Sequence, residues 1–141
     1  MTTNADSRPT HKVLVIDNDP QTITLLSKLF ERRLPQVEIV GAVGGIAGLE
    51  MAARVKPDLI LLDLMMADID GFEVLQRLKN DPDLCHVQVV MHSHRGDPEA
   101  VNQGLELGAD DYLTRPTLPN TLIEKVSKFL DVNNSEADDN H

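Results

Sequence analysis

Residues 58–71 read DLILLDLMMADIDG, and this stretch decides the fold. Leu59 to Leu62 form an uninterrupted apolar run, which is typical of a strand buried on both faces of a parallel sheet. Asp63 follows the run directly, so a carboxylate stands where the strand leaves the sheet. In open α/β folds this edge, at the carboxyl ends of the strands, is where ligands bind. The stretch therefore predicts a buried strand that delivers one carboxylate to a ligand crevice.

Apolar runs and helical stripes alternate along the rest of the chain. Short apolar runs predict five strands, at Val13–Ile16, Val37–Val43, Leu59–Leu62, Val87–Met91 and Tyr112–Leu113. Apolar residues at helical spacing predict five helices, over about 20–33, 46–56, 71–79, 98–107 and 118–130. Such alternation predicts a parallel sheet with right-handed crossovers and helices on both faces.

The chain has 141 residues, which is room for one domain with a proper core. We assign that domain to residues 12–130. Residues 1–11 are polar and without periodicity, and we expect them to form a flexible tail. Residues 131–141 are acidic and have no apolar face, so we expect a disordered tail there as well.

The charge balance narrows the classes of partner. With 13 Lys and Arg against 23 Asp and Glu, the formal net charge is −10, which argues against binding of nucleic acid or an anionic membrane by this domain. Cys85 is the single cysteine, so no internal disulfide can form and a reducing compartment fits best. No apolar run approaches the roughly 18 residues of a membrane span. A cytoplasmic location is the expectation.

Four stretches together resemble a known family. They are VLVIDNDP at 13–20, LLDLMMADIDG at 61–71, Ser93 at the end of the fourth strand, and GLELGADDYLTRP at 104–116. In this order and spacing they are similar to the receiver domain of two-component response regulators. The resemblance implies a flavodoxin-like, doubly wound sheet of five parallel strands in the order 2-1-3-4-5, with five helices. The topological switch point then lies between strands one and three.

The resemblance also implies a phosphorylation site. Asp63 matches the phosphate-accepting aspartate of the family. Asp17 and Asn18 match the acidic pair that holds Mg²⁺ together with Asp63, and the backbone carbonyl of Met65 would be a further ligand. The chemistry is reasonable on general grounds, because neighbouring carboxylates repel one another and favour a hard cation with oxygen ligands. Asp63 could then form an acyl phosphate.

Further residues match the signalling apparatus of the family. Ser93 matches the hydroxyl residue that turns toward the phosphoryl group, and Tyr112 matches the aromatic switch on strand five. Arg115 occupies the place of an expected lysine, and its bond to Pro116 matches one that is usually cis, a state that proline makes accessible. Phosphorylation would then change the face made by helix four, strand five and helix five.

Three residues depart from the family pattern. Asn18 stands where a second aspartate is usual, and because its amide carries no charge we expect weak Mg²⁺ binding. Arg115 is bulkier than lysine and presents a planar fork instead of a point charge. His94 stands where a small residue is usual, and its ring is expected to narrow access to Asp63 and slow both phosphorylation and hydrolysis.

The sequence favours a single-domain response regulator, not an enzyme, that receives phosphate from a histidine kinase or phosphotransfer protein and signals to an unknown protein. The alternative is a phosphate-independent pseudo-receiver that acts as an interaction module, and pairing of two copies through the face named above stays open. An aspartate-nucleophile phosphohydrolase is disfavoured because Met65 stands where a second acid/base group is needed. A flavodoxin is disfavoured because acidic residues end strand one and would repel a cofactor phosphate.

Several other polar residues have simple structural interpretations. Asp19 suits a helix N-cap, and Asp68 and Asp70 suit loop and capping positions. His92, His94 and His86 invite comparison with a metal site, but no fourth ligand of fitting spacing is present, which favours core or surface histidines.

Overall fold

The computed structural model of the protein describes residues 11–132, so the expected tails at 1–10 and 133–141 lie outside the described part. The strands are β1 His11–Asp17, β2 Val37–Val43, β3 Leu59–Leu62, β4 Gln88–Ser93 and β5 Asp111–Thr114. The helices are α1 Pro20–Arg33, α2 Gly45–Val55, α3 Gly71–Asn80, α4 Pro98–Glu106 and α5 Pro119–Leu130. None of these helices is long and apolar enough to cross a membrane.

The five strands form one sheet in the order β2-β1-β3-β4-β5, and every neighbouring pair is parallel. The predicted α/β fold and its strand order are therefore confirmed. Both ends of β1, β4 and β5 differ from the sequence pattern by one or two residues, and two of these differences concern the tail and the site. β1 begins at His11, inside the segment assigned to the tail, and β4 continues two residues beyond Met91, so that Ser93 is its last residue.

Alternate residues of the strands supply two separate cores. On β1, Leu14 and Ile16 face one side of the sheet, and Val13 and Val15 face the other. The first side is covered by α2, α3 and α4, and the second by α1 and α5. Both cores are aliphatic apart from a few aromatic rings, as the low aromatic content requires. Val132 also packs against the second core, so ordered packing continues past α5.

Aspartates fix the starts of the helices. Asp19 caps α1 by accepting from the backbone N–H of Gln21, and Asp70 caps α3 by accepting from Glu73, each at 2.9 Å. Asp68 acts at a distance along the chain: its two carboxylate oxygens accept from Gly45 and Ile46, at the first turn of α2. These hydrogen bonds lower the pKa of Asp68 to about 2. The loop after β3 is thereby tied to the loop after β2.

Gly71 lets α3 start directly against the backbone that follows β3. Its N–H donates to the carbonyl of Leu64 at 2.9 Å. A Cβ at this position would lie 2.4 Å from the carbonyl oxygen of Asp63 and 2.8 Å from the Cα of Leu64. Both are backbone atoms, so no side-chain rotation could relieve the overlap.

We expect Gly71→Ala to lower the free energy of unfolding by about 1–3 kcal/mol, because the backbone at Asp63 must shift to admit the methyl group. Urea denaturation followed by circular dichroism measures this. Gln76→Ala is the matched control, since Gln76 is exposed on the same helix and its replacement should change stability by less than about 0.5 kcal/mol. Equal stability of the two variants would contradict the close contact at Gly71.

Candidate functional site

The strand register places ionisable residues side by side at the carboxyl edge of the sheet. Ile16 pairs with Leu62, and Leu62 pairs with Met91. The next residue on each of these strands is Asp17, Asp63 and His92, respectively. Adjacent strands are about 4.8 Å apart, so these side chains come close to one another. The alternation of the strands directs this row toward the side of the sheet that is covered by α1 and α5.

Asp17 is buried, with 1% of its surface exposed. One carboxylate oxygen, Oδ1, accepts a hydrogen bond from the backbone N–H of Asp19 at 2.9 Å. The other, Oδ2, accepts from the guanidinium of Arg115, with which Asp17 forms an ion pair. Its backbone carbonyl accepts from Gly44 at 3.0 Å. Both carboxylate oxygens of Asp17 are therefore engaged.

Asp63 is also buried, with 6% of its surface exposed. Its N–H donates to the carbonyl of Ile16 at 2.9 Å, and its Oδ1 accepts from the N–H of Met65 at 3.3 Å. Burial raises the pKa of Asp63, and the negative charge of Asp17 raises it further, whereas Arg115 opposes both effects. The site thus holds two carboxylates that repel each other in a poorly hydrated crevice.

Arg115 is the cation of this crevice. Its backbone N–H donates to the carbonyl of Ser93 at 2.8 Å, which fixes the start of the side chain beside β4. Its Nε donates to Nδ1 of His92 at 3.3 Å, and its terminal nitrogen donates to Asp17. Only 11% of the side chain is exposed. The Arg115–Pro116 peptide bond is cis.

His92 is the neutral partner of Arg115. It lies within β4 with 6% of its surface exposed. Because Nδ1 accepts a hydrogen bond, the ring must carry its proton on Nε2 and be uncharged. Burial lowers the pKa of His92 to about 4, and the positive charges of Arg115 and His94 act in the same direction.

Ser93 and Tyr112 flank the loop after β4. Ser93 is buried, and its hydroxyl oxygen accepts from the N–H of Arg95 at 3.2 Å. The Tyr112 hydroxyl donates to the backbone carbonyl of Arg95. Gly104 of α4 leaves space for the ring, since a Cβ there would lie 3.2 Å from Cδ2 of Tyr112. Both hydroxyl groups therefore contact one residue of the β4–α4 loop.

The remaining predicted site residues lie at the rim. Asn18 is exposed beside Asp17, and Met65 is exposed while its N–H holds Asp63. His94 is also exposed, and with Arg115 it lines a groove of about 430 Å³ between α1 and the start of α5. This groove lies on the Arg115 side of the crevice.

The oxygen atoms at the crevice suit a hard divalent cation. Two carboxylates and an amide oxygen are the ligand types that Mg²⁺ takes. Burial and, after it, the charge of Asp17 raise the pKa of Asp63, and a cation would offset both effects. Across residues 11–132, no group of three His, Cys, Asp or Glu side chains is arranged to hold a metal ion. The histidines at 86, 92 and 94 thus form no metal site, and oxygen ligands at Asp17 and Asp63 are the better match.

Two polar residues have larger roles than the sequence pattern indicated. His92 was expected to be a core or surface histidine, and the structure makes it the acceptor that holds Arg115. The available signal was its position two residues after the buried Val90, in phase with it on the same strand. Asp68 was expected at a loop or capping position, and the structure shows that the helix it caps begins 23 residues earlier. No sequence spacing indicates such a contact.

A family model and curated proteins each match most of this chain. The family model of the response regulator receiver domain matches residues 13–127. The DNA-binding dual master transcriptional regulator RpaA of Synechocystis sp. is 38% identical over 119 residues, which cover 84% of this chain and 48% of that protein. Response regulator PleD of Caulobacter vibrioides is 42% identical over 108 residues, which cover 74% of this chain and 23% of that protein. The chain thus spans about half or less of these relatives.

Solved structures have the same architecture. The receiver domain of the Francisella response regulator 1452 superposes with a TM-score of 0.79 at 29% identity, covering 86% of this chain and 98% of that one. The BeF3-activated DrrB receiver domain gives a TM-score of 0.74 at 25% identity, covering 86% and 97%. The similarity covers nearly all the described residues.

The neutral His92 makes stability depend on pH in a defined direction. Its pKa is about 4 in the folded protein, against 6.5 ordinarily, so between these values the unfolded chain binds more protons and acidification destabilises the fold. Between pH 7 and pH 5 we expect wild type to lose about 2 kcal/mol more than His92→Gln, which cannot titrate. Urea denaturation at the two pH values measures this.

His86→Gln is the control, because His86 is exposed, and it should keep the wild-type loss. The raised pKa of Asp63 acts in the opposite sense, but Asp63 is present in every variant and cancels in the comparison. An equal loss in wild type and His92→Gln would show that His92 is not held neutral.

Proposed function

The chain belongs to the response regulator receiver domain family of two-component signalling, and from this premise we propose that Asp63 accepts a phosphoryl group from a histidine kinase or phosphotransfer protein. Receiver domains are not catalytic enzymes, and histidine kinases are their partners. The observation that carries the proposal is the juxtaposition of buried Asp17, buried Asp63 and the Arg115 guanidinium at one sheet edge.

The proposed step transfers a phosphoryl group from a nitrogen or oxygen atom of the donor to a carboxylate oxygen of Asp63. A carboxylate oxygen of Asp63 attacks the phosphorus of the donor and forms a new P–O bond. The bond between phosphorus and the donor atom breaks, and the donor keeps its electron pair. Asp63 is poorly hydrated, so little water must be removed from its oxygens before the attack. The N–H of Met65 keeps the carboxylate oriented.

Receiver domains generally bind Mg²⁺, and in this chain Asp17, Asn18, Asp63 and the backbone carbonyl of Met65 would hold it. When bound, the metal supplies positive charge next to the transferring oxygens. The uncharged amide of Asn18 supports the proposal that the affinity is lower than a second carboxylate would give. Asn18 is exposed, so its amide oxygen is free to turn toward the crevice.

The proposed readout passes through Ser93 and Tyr112. A phosphoryl group brings about −1.5 to −2 charge and three acceptor oxygens, to which the Ser93 hydroxyl and Arg115 can donate. Ser93 would then give up its contact with Arg95, the residue whose carbonyl also holds the Tyr112 hydroxyl. A shift of this loop changes the face formed by α4, β5 and α5, and we propose this face for downstream protein contacts or for pairing of two copies.

His94 and Arg115 define how open the site is. His94 is exposed at the mouth of the groove next to Arg115, which supports a role in restricting access to Asp63. The phosphate-independent module is the second candidate function. It is favoured by one observation, the ion pair that already engages Asp17.

The proposal for this chain does not include the activities of its longer relatives. An output domain elsewhere in a longer protein is compatible with it.

We expect the purified protein to gain the mass of one phosphoryl group when incubated with acetyl phosphate and MgCl₂, because that small donor needs no protein partner. Intact-mass spectrometry detects the addition. Asp63→Asn should gain none. Asp83→Asn should behave like wild type, because Asp83 is an exposed aspartate in the turn before β4.

This experiment, combined with a measurement of partner binding, separates the two candidate functions. Phosphate on Asp83 or another residue, or none on wild type, would contradict the phosphoacceptor role of Asp63. Partner binding that survives Asp63→Asn unchanged would then identify the phosphate-independent module.

Restoring the second carboxylate should strengthen metal binding. We expect Asn18→Asp to tighten Mg²⁺ binding by at least about tenfold, because it adds a full charge at short range. The shift of backbone amide resonances with MgCl₂ concentration measures the dissociation constant. Asn102→Asp adds the same charge on the exposed surface of α4 and should leave the constant within about twofold of wild type. Equal tightening by both variants would exclude Asn18 from the metal site.

A further inference from the structure

Asp17 is already occupied by a cation that the protein itself provides. Its Oδ1 accepts from the Asp19 N–H, and its Oδ2 accepts from the Arg115 guanidinium. With 1% of its surface exposed and a donor on each oxygen, Asp17 can take a second cation only if one of these donors is displaced or shares its oxygen. A buried carboxylate needs a counter-charge, and Arg115 supplies it.

We propose that Arg115 is a built-in competitor of the divalent cation for Asp17, so that metal binding requires the guanidinium to leave this carboxylate. The inference rests on the metal site of the proposed function. It concerns the order of events at that site: the charge of Asp17 is balanced internally when metal is scarce, and loading with metal frees Arg115 for another anion. Metal occupancy and the position of Arg115 are thereby coupled.

The competitor is anchored at more than one point. His92 accepts from Nε at 3.3 Å, and the Arg115 N–H bonds to the Ser93 carbonyl at 2.8 Å. The His92 ring is buried, so it cannot turn away to solvent. The guanidinium is thus aimed at Asp17 by an acceptor on one side and a carboxylate on the other. Such charge-assisted hydrogen bonds in a poorly hydrated site are among the stronger ones.

Lysine could not reproduce this arrangement. The Arg115 fork donates from Nε to His92 and from a terminal nitrogen to Asp17 at the same time. A lysine ammonium is a single donor centre at the end of a flexible stem, and it is more strongly hydrated. Arg115→Lys therefore keeps the charge but weakens the hold on Asp17. This separates competition at Asp17 from a general effect of positive charge.

The test is a titration with MgCl₂ alone, followed by backbone amide and arginine Nε resonances in NMR spectra, with no phosphodonor present. We expect Arg115→Lys to bind Mg²⁺ about tenfold more tightly than wild type. Arg77→Lys is the matched control: Arg77 is exposed on α3 and pairs with Glu73, so its variant should bind as wild type does. In wild type, the Arg115 Nε resonance should shift as the metal saturates.

A second variant tests the anchor without any change of charge at neutral pH. His92→Leu removes the acceptor of Arg115, and we expect Mg²⁺ to bind about fivefold more tightly. If Arg115→Lys does not fold, His92→Leu and the Arg115 Nε resonance of wild type still test whether Arg115 competes with the metal for Asp17. Unchanged or weaker metal binding in both variants, or an Nε resonance that does not move at saturation, would overturn the proposal. Wild type that binds Mg²⁺ but never accepts phosphate would instead refute the proposed function alone.

Discussion

The repulsion between Asp17 and Asp63 is the constraint on which the rest of the site depends. The parallel neighbours β1 and β3 end at the same level of the sheet. The last residue of β1 is the buried Asp17, and the buried Asp63 directly follows β3. Two poorly hydrated carboxylates cannot both stay ionised without a cation nearby. Arg115 meets that need within the chain, and the oxygen ligands beside it suit a divalent metal. The site is therefore built to hold positive charge, from one source or another.

The surrounding structure keeps these charges in register. The apolar β3 pins the carboxylate between two cores, and Gly71 brings α3 against the backbone of Asp63. Asp68 ties the following loop to the first turn of α2, which limits the freedom of the residues between them. The buried His92 on β4 orients Arg115 by accepting from its Nε. Core positions and capping residues thus contribute directly to the geometry of the crevice.

The departures of this chain from its family are connected in space. Arg115 replaces a lysine, and its longer fork reaches both His92 and Asp17. Asn18 removes a negative charge from the same crevice, so the internal cation balances more of what remains. His94 lies at the mouth of the groove next to Arg115. These residues together support the proposal of a receiver site whose charge balance depends more on the protein and less on the metal.

Local periodicity was enough to identify the element types, and the rule that parallel strands present their carboxyl ends together brings Asp17 and Asp63 to one edge of the sheet. The strand order and the positions of Ser93 and Arg115 followed from the resemblance of four sequence stretches to receiver domains. Only the tertiary structure decided that Arg115 pairs with Asp17, that His92 orients it, and that Asp68 caps a helix across the loop. Such contacts join residues far apart in the chain, and they depend on side-chain length and direction after packing. The periodicity of apolar residues does not indicate the length or the direction of a side chain.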